Sequence, residues 1–272
     1  MASLDNFLDR QLAKGRAYFC KEAAAADLQR SQQALQAALG RMAKRGRLVS
    51  PCRGFYLILR PEDRTLGAPD PARWIDPLMG HLSLDYRISL LRAAAFHGAA
   101  HQAAMVFQVI VPRQLPAITI GRQRVEFMFQ TPKAFSVANR PEWLDRMKTD
   151  AGFAKVAGVE LTLLDICRYF HRAGGINAAA QAVHDLGGNA RVKILAAAAR
   201  AYEQTAVRRL GFLLARFGHD RQARALLPFA AKAKSFPPLD PATRPAAKEL
   251  SVRGVRDRSW RLLVNVDVEI DE

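Results

Sequence analysis

The 272-residue sequence has no unbroken apolar run near the ~18–20 residues that a membrane-spanning helix needs. That excludes a helical membrane anchor, and no membrane partner is expected. The opening Met1-Ala2-Ser3-Leu4-Asp5-Asn6 is polar and acidic, unlike a secretory signal. Cysteine is scarce. Cys20, Cys52 and Cys167 are far apart, odd in number and form no C-x-x-C pair. They make no disulfide framework, fit a reducing cytoplasm and read as small buried hydrophobes. The sequence motifs of catalysis are missing too: no G-x-x-x-x-G-K-[ST], no G-x-G-x-x-G and no G-x-S-x-G. Gly174-Gly175 and Gly187-Gly188 read as turn glycines at helix ends. His97 and His101 lack the glutamate of H-E-x-x-H and a third ligand, so helix-end packing is the plainer reading. Thr162 or Glu160 as a helix cap, with Asp165 in the first turn, is a plainer reading than an acid/base pair of Glu160 and Asp165. No enzyme, catalytic residue, metal site or cofactor is expected.

Acids are in deficit: 25 Asp+Glu stand against 41 Lys+Arg, a net charge of +16. Such a surplus favours a polyanionic partner, nucleic acid before an anionic membrane surface. Half of the residues are hydrophobic, enough for a sizeable core and about two domains. Proline marks the divisions. Residues 1–60 are compact and helix-rich, and 61–77 read as a linker carrying Pro61, Pro69, Pro71 and Pro77. Residues 78–227 have a mixed α/β pattern. Residues 228–272 begin proline-rich and end in an alternating, strand-like run from Trp260 to Glu269. The expected fold class is α+β, an N-terminal winged helix-turn-helix followed by a mixed α/β C-terminal domain.

Within residues 1–60, Ser3 caps a first helix with Leu4, Phe7, Leu8 and Leu12 on one face. A second helix spans about Cys20 to Leu28. Ser31 caps a third that runs to about Arg45 and stops at Gly46. Leu35, Leu39 and Met42 form the buried stripe of this third helix. Gln29, Gln33, Gln36, Ala37, Gly40 and Lys44 face the other way. Glutamine pairs bidentately with adenine in the major groove, and Ala37 and Gly40 permit close approach. Two short strands follow, Arg47 to Ser50 and Phe55 to Leu59, around a Pro51-Cys52-Arg53-Gly54 turn. Helix, basic stop, strand, Arg-Gly turn and strand are the sequence form of a winged helix. The candidate DNA-binding residues are Gln29, Arg30, Ser31, Gln32, Gln33, Gln36, Lys44, Arg45, Arg47 and Arg53. The arginines and lysine would meet phosphate or the minor groove. All acids of this stretch, Asp5, Asp9, Glu22 and Asp27, precede the third helix. Far downstream, Arg208, Arg209, Arg216, Arg221 and Arg224 form a second candidate basic patch, with RNA, DNA or an acidic protein as its partner.

Several segments in order resemble the AbiEi antitoxins. They are Tyr86-Arg87-Ile88-Ser89-Leu90-Leu91-Arg92-Ala93-Ala94-Ala95-Phe96-His97-Gly98-Ala99-Ala100-His101-Gln102, then Phe107-Gln108-Val109-Ile110-Val111-Pro112-Arg113. Glu160-Leu161-Thr162-Leu163-Leu164-Asp165-Ile166-Cys167-Arg168-Tyr169 and Arg208-Arg209-Leu210-Gly211-Phe212-Leu213-Leu214 continue the likeness. It spans roughly Phe7 to Gly218 and leaves out the tail after Pro228. The resemblance implies the antitoxin of a type IV toxin–antitoxin system of abortive phage infection. Such a protein binds repeats in its operator DNA and represses its own operon. Its C-terminal region counters a nucleotidyltransferase-like toxin acting on RNA, without requiring a stable complex. Two other readings stay open on the residues alone. One is a ligand-responsive winged-helix transcription factor. The other is a nucleic-acid-processing enzyme targeted by its winged helix.

Overall fold

A computed structural model describes residues 3–99, 106–149, 152–243 and 254–270. Two compact units interleave in sequence. The first holds residues 1–88, 105–131 and 146–155, and the second 89–104, 132–145 and 156–272.

The first unit opens with α1 (Leu4–Ala13), β1 (Tyr18–Cys20), α2 (Lys21–Leu28) and α3 (Gln32–Lys44). β2 (Leu48–Cys52) and β3 (Phe55–Ile58) follow. Side chains set two of the helix starts. The Ser3 hydroxyl accepts from the Asn6 N–H at 3.1 Å, and Ser31 accepts from the Ala34 N–H at 3.2 Å. Each satisfies a donor that a helix start leaves unpaired. Leu4, Phe7 and Leu8 of α1, Leu28 of α2 and Leu35, Ala38, Leu39 and Met42 of α3 share one core with Phe19, Leu48 and Ile58. The strands form an antiparallel sheet in the order β1-β3-β2. The sequence shows only a break where β1 lies, because three residues are too few to display a period. Its pairing reveals it: Phe19 opposes Tyr56, with the rings stacked 5.3 Å apart.

The proline-rich stretch after β3 is packed rather than an open spacer. Pro61–Asp63 and Pro71–Arg73 are short 3-10 turns, and Ala68 and Trp74 are fully buried. Proline at a first helical position loses only an N–H that had no partner there. The Trp74 indole donates to the Pro69 carbonyl at 3.0 Å. Then come α4 (Ile75–His81), β4 (Arg87–Ile88), α5 (Leu90–Phe96) and β5 (Phe107–Val111). Next are β6 (Ile118–Ile120), β7 (Gln123–Phe129), α6 (Pro132–Ala138), β8 (Leu144–Thr149) and β9 (Gly152–Ala157). A six-stranded sheet runs in the order β6-β7-β5-β4-β9-β8, with β5 and β7 parallel. Leu84 to His97, where Ile88, Leu91 and Ala95 have helical spacing, form β4 followed by α5 rather than one helix. Arg87 and Ile88 pair with Ile110 and Val109, and the buried Arg87 guanidinium donates to Gln130 Oε1 at 2.9 Å. Gly121 makes the β6–β7 turn, and a Cβ there would lie 2.2 Å from the Leu66 carbonyl oxygen.

In the second unit, α5 and α6 are joined by α7 (Val159–Arg168), α8 (Gly175–Leu186), α9 (Val192–Ala199), α10 (Gln204–Arg216) and α11 (Asp220–Ala231). The short strands β10 (Val255–Asp257) and β11 (Leu262–Val264) complete it. Val192 to Phe217, alanine-rich and without proline, form two helices, α9 and α10. Buried Tyr202 sits in the break, and its hydroxyl donates to Asp165 Oδ1 at 2.7 Å. Asp165 Oδ2 accepts from Ser89 Oγ, also at 2.7 Å. The boundary read at Pro228 falls inside α11. The strand-like run after Trp260 pairs only through Leu262–Val264. Beyond it, side chains hold the backbone instead: Arg216 donates to the Val268 carbonyl, and Asn177 accepts from the Glu269 N–H. Trp260 packs against α10, where a Cβ on Gly211 would meet its ring at 2.0 Å.

Candidate functional site

The candidate residues of α3 follow from the helix's own amphipathicity. Leu35, Ala38, Leu39 and Met42 are buried, while Gln32, Gln33, Gln36, Ala37, Gly40, Arg41 and Lys44 are exposed. A Cβ on Gly40 would meet nothing within 4 Å. Glycine in mid-helix costs about 1 kcal/mol relative to alanine, and no internal packing explains it here. Gln29 is exposed in the turn before α3, at a left-handed φ of 49°, and Ser31 is the cap.

A cleft of about 510 Å³ separates the start of α3 from the β2–β3 hairpin. Gln32 and Gln36 line it from the helix, Arg53 and Tyr56 from the hairpin, and Lys21 from α2. The hairpin is tightly held. Ser50 Oγ reaches the carbonyl oxygens of Cys52 and Phe55, each at 2.8 Å. The Lys21 N–H donates to the Gly54 carbonyl at 2.8 Å, and His81 Nε2 donates to the Arg53 carbonyl at 3.1 Å. Pro51, which has no N–H, sits where the β2–β3 register shifts. The Arg53 side chain is therefore carried on a fixed turn.

Charge sorts the candidates. Among the described residues, Arg30, Arg41, Lys44, Arg45 and Arg53 make no ion pair. Arg47 differs: its guanidinium lies 3.6 Å from Asp5 and 3.5 Å from Asp9, both on α1. Those acids compete with phosphate for it, which removes Arg47 from the set of free cations. Arg41 was missed, although it lies eight residues after Gln33 on the same helix face. Lys21 and Tyr56 depend on β1 placing α2 beside the hairpin, and no local signal marks them.

The second basic patch does not form one surface. Arg208 and Arg209 are buried, at 3% and 5% exposure. Arg208 donates to the carbonyls of Ser235 and Arg261, each at 3.0 Å. Arg209 donates to Leu239 at 2.8 Å and Cys167 at 2.9 Å, with its guanidinium over the Phe170 ring. These two arginines tie down the tail, and burial lowers both guanidinium pKa values. Arg216, Arg221 and Arg224 are exposed.

The other titratable groups have structural partners. His97 Nε2 donates to the Ala157 carbonyl at 2.7 Å, and His101 lies outside the described residues. Glu160 is buried and accepts from the Arg191 N–H at 2.7 Å, holding the turn before α9. Thr162 donates to the Ala157 carbonyl, and Gly158 is the N-cap of α7. Burial pushes the Cys167 thiol up to about 12, which keeps it a protonated, inert group. Among the described residues, no group of three or more His, Cys, Asp or Glu could hold a metal ion, and no helix is long and apolar enough to cross a membrane.

Taken together, the chain is an α+β protein with an exposed amide-and-cation helix face near its N-terminus. Residues 87–216 match the family described as the AbiEi antitoxin C-terminal domain. The chain therefore carries an AbiEi antitoxin C-terminal domain, which supports an antitoxin role in a toxin–antitoxin system. The family is generally non-enzymatic. The crystal structure of the RV2827C protein from Mycobacterium tuberculosis is similar in fold, with a TM-score of 0.68 at 17% identity. The similarity covers 95% of this chain and 89% of that one. No curated protein matches the chain.

Proposed function

We propose that residues 1–60 are a winged helix-turn-helix that binds operator DNA and represses the protein's own operon. α2 and α3 are the helix pair, α3 is the recognition helix, and the β2–β3 hairpin is the wing. The observation that carries this reading is the exposed face of α3, with Gln33 and Gln36 leading into Gly40, Arg41 and Lys44, beside a hairpin that presents Arg53. Amides read base edges, the glycine lets the helix backbone approach, and the cations contact phosphate. The AbiEi domain would counter a nucleotidyltransferase-like toxin of a type IV system in phage defence. The partners are then double-stranded operator DNA and the toxin, with no stable complex between antitoxin and toxin required.

Replacing Arg45 or Arg53 with glutamine is expected to weaken binding to every duplex and to flatten the salt dependence by about one charge each. Arg47→Gln is expected to change binding less, because Asp5 and Asp9 already hold that side chain. Anisotropy titrations across a salt series measure both. A loss for Arg47→Gln as large as for Arg53→Gln would contradict this assignment of the wing.

A further inference from the structure

A second cleft, of about 600 Å³, lies in the second unit between α9 and α11. Its cations come from both helices: Arg200 follows α9, and Lys232 follows α11. Each lies on a longer basic row. Lys193, Ala196 and Arg200 are spaced i, i+3, i+7, and Arg221, Ala225, Pro228 and Lys232 are spaced i, i+4, i+7, i+11. At 3.6 residues per turn, each row is one helix face. Alanines and proline therefore form the walls, with cations at the ends. Lys193, Arg200, Arg221 and Lys232 are all exposed, and none makes an ion pair among the described residues. No acid lines the cleft. Glu203, close by in sequence, is taken up by Arg168 at 2.6 Å.

The remaining lining is suited to a base. Half-buried Phe229 and exposed Pro228 offer rigid apolar faces, and Gln204 offers an amide at the rim. Like-charged side chains held on two facing helices repel one another, and an anion between them relieves that repulsion. Aromatic and apolar faces beside such cations are the ingredients of base stacking with phosphate contact. The volume lies within the range of small-ligand sites.

We propose that this cleft binds a nucleoside phosphate, either as a free nucleotide or as one unit of a single-stranded RNA. The phosphate would lie between Arg200 and Lys232, and the base against Pro228 and Phe229. This site is separate from the operator-binding face and does not depend on it. Two of the five arginines of the second basic patch, Arg208 and Arg209, are buried structure. The cleft's own cations, Arg200 and Lys232, lie outside that arginine run, and exposed Arg221 shares the α11 face that carries Lys232.

The test uses the full chain and two probes, a fluorescent ten-nucleotide single-stranded RNA and AMP as competitor. The RNA is expected to bind. Arg200→Gln/Lys232→Gln is expected to weaken binding roughly tenfold at moderate salt, since two phosphate contacts are lost. The exposed control Lys133→Gln on α6 should stay near wild type. Phe229→Leu should weaken RNA binding about tenfold through lost stacking. Circular dichroism confirms that each variant is folded, and the two single cation variants, each expected to show a smaller loss, repeat the test without the double change. Displacement of the RNA by AMP identifies the free-nucleotide form of the site. RNA binding that needs the cleft cations but resists AMP identifies the strand-bound form. Absence of binding, equal binding by the double variant and the Lys133 control, or binding lost only with Arg45→Gln/Arg53→Gln would overturn the proposal.

Discussion

Replacing Gln33 and Gln36 together with alanine is expected to erase most of the preference for operator over scrambled DNA while leaving nonspecific affinity nearly intact. Both side chains are exposed on α3, and Gln36 also lines the cleft beside the hairpin. Neither contributes to the buried stripe, so the fold survives the change. A bidentate amide–adenine pair contributes about 1–3 kcal/mol of discrimination, so the pair together accounts for roughly 30-fold to 10⁴-fold. Phosphate contacts by Arg41, Lys44, Arg45 and Arg53 remain, which keeps the affinity for scrambled duplex within about threefold. Parallel titrations of operator and scrambled duplex give the ratio directly. Equal losses on both would show that the glutamines position the protein rather than read bases.

Asp165→Ala is expected to be among the most destabilising single changes in the second unit. Asp165 is fully buried on α7 and accepts from Tyr202 and Ser89, both at 2.7 Å. Alanine leaves two buried hydroxyls without this acceptor, at about 1–3 kcal/mol each. It also frees the backbone beside Ser89, where Leu90 is held at a φ of 54°, a conformation that costs a bulky residue about 1–3 kcal/mol. Relief of that strain offsets part of the loss, so a net destabilisation of roughly 2–5 kcal/mol is expected. That is a large share of the 5–15 kcal/mol typical of a whole domain. Thermal unfolding of the full chain measures it. A loss below about 1 kcal/mol would mean that these hydroxyls find other acceptors.

Local patterns were the legible part of this chain. Ser3 and Ser31 act as caps, Gly46 follows α3 at a φ of 66°, and the α3 stripe faces inward, because each depends on residues within one or two turns. What could not be read locally depends on distant pairing. Arg87 lies in an apparent helix until β5 provides Val109 and Ile110 as partners for β4. The alanine-rich run after Val192 has the composition of one continuous helix, and only the buried Asp165 explains the break at Tyr202. Arg208 and Arg209 look like a solvated face because their acceptors, the carbonyls of Ser235, Leu239 and Arg261, arrive from 27 to 53 residues away. Arg47 looks like its free neighbours until α1 brings Asp5 and Asp9 alongside. A charged residue's type says little about its use. The carbonyls and carboxylates that the fold delivers decide whether it stays available to a partner.

The most direct test of the central claim is the affinity of the full chain for the DNA upstream of its own gene, against a scrambled duplex, from about 50 to 200 mM salt. The account predicts at least ~10³-fold selectivity for the upstream DNA. It also predicts a log–log salt slope of about −4 per bound chain, from the free cations Arg30, Arg41, Lys44, Arg45 and Arg53. Weak binding with the same affinity for both duplexes would contradict it.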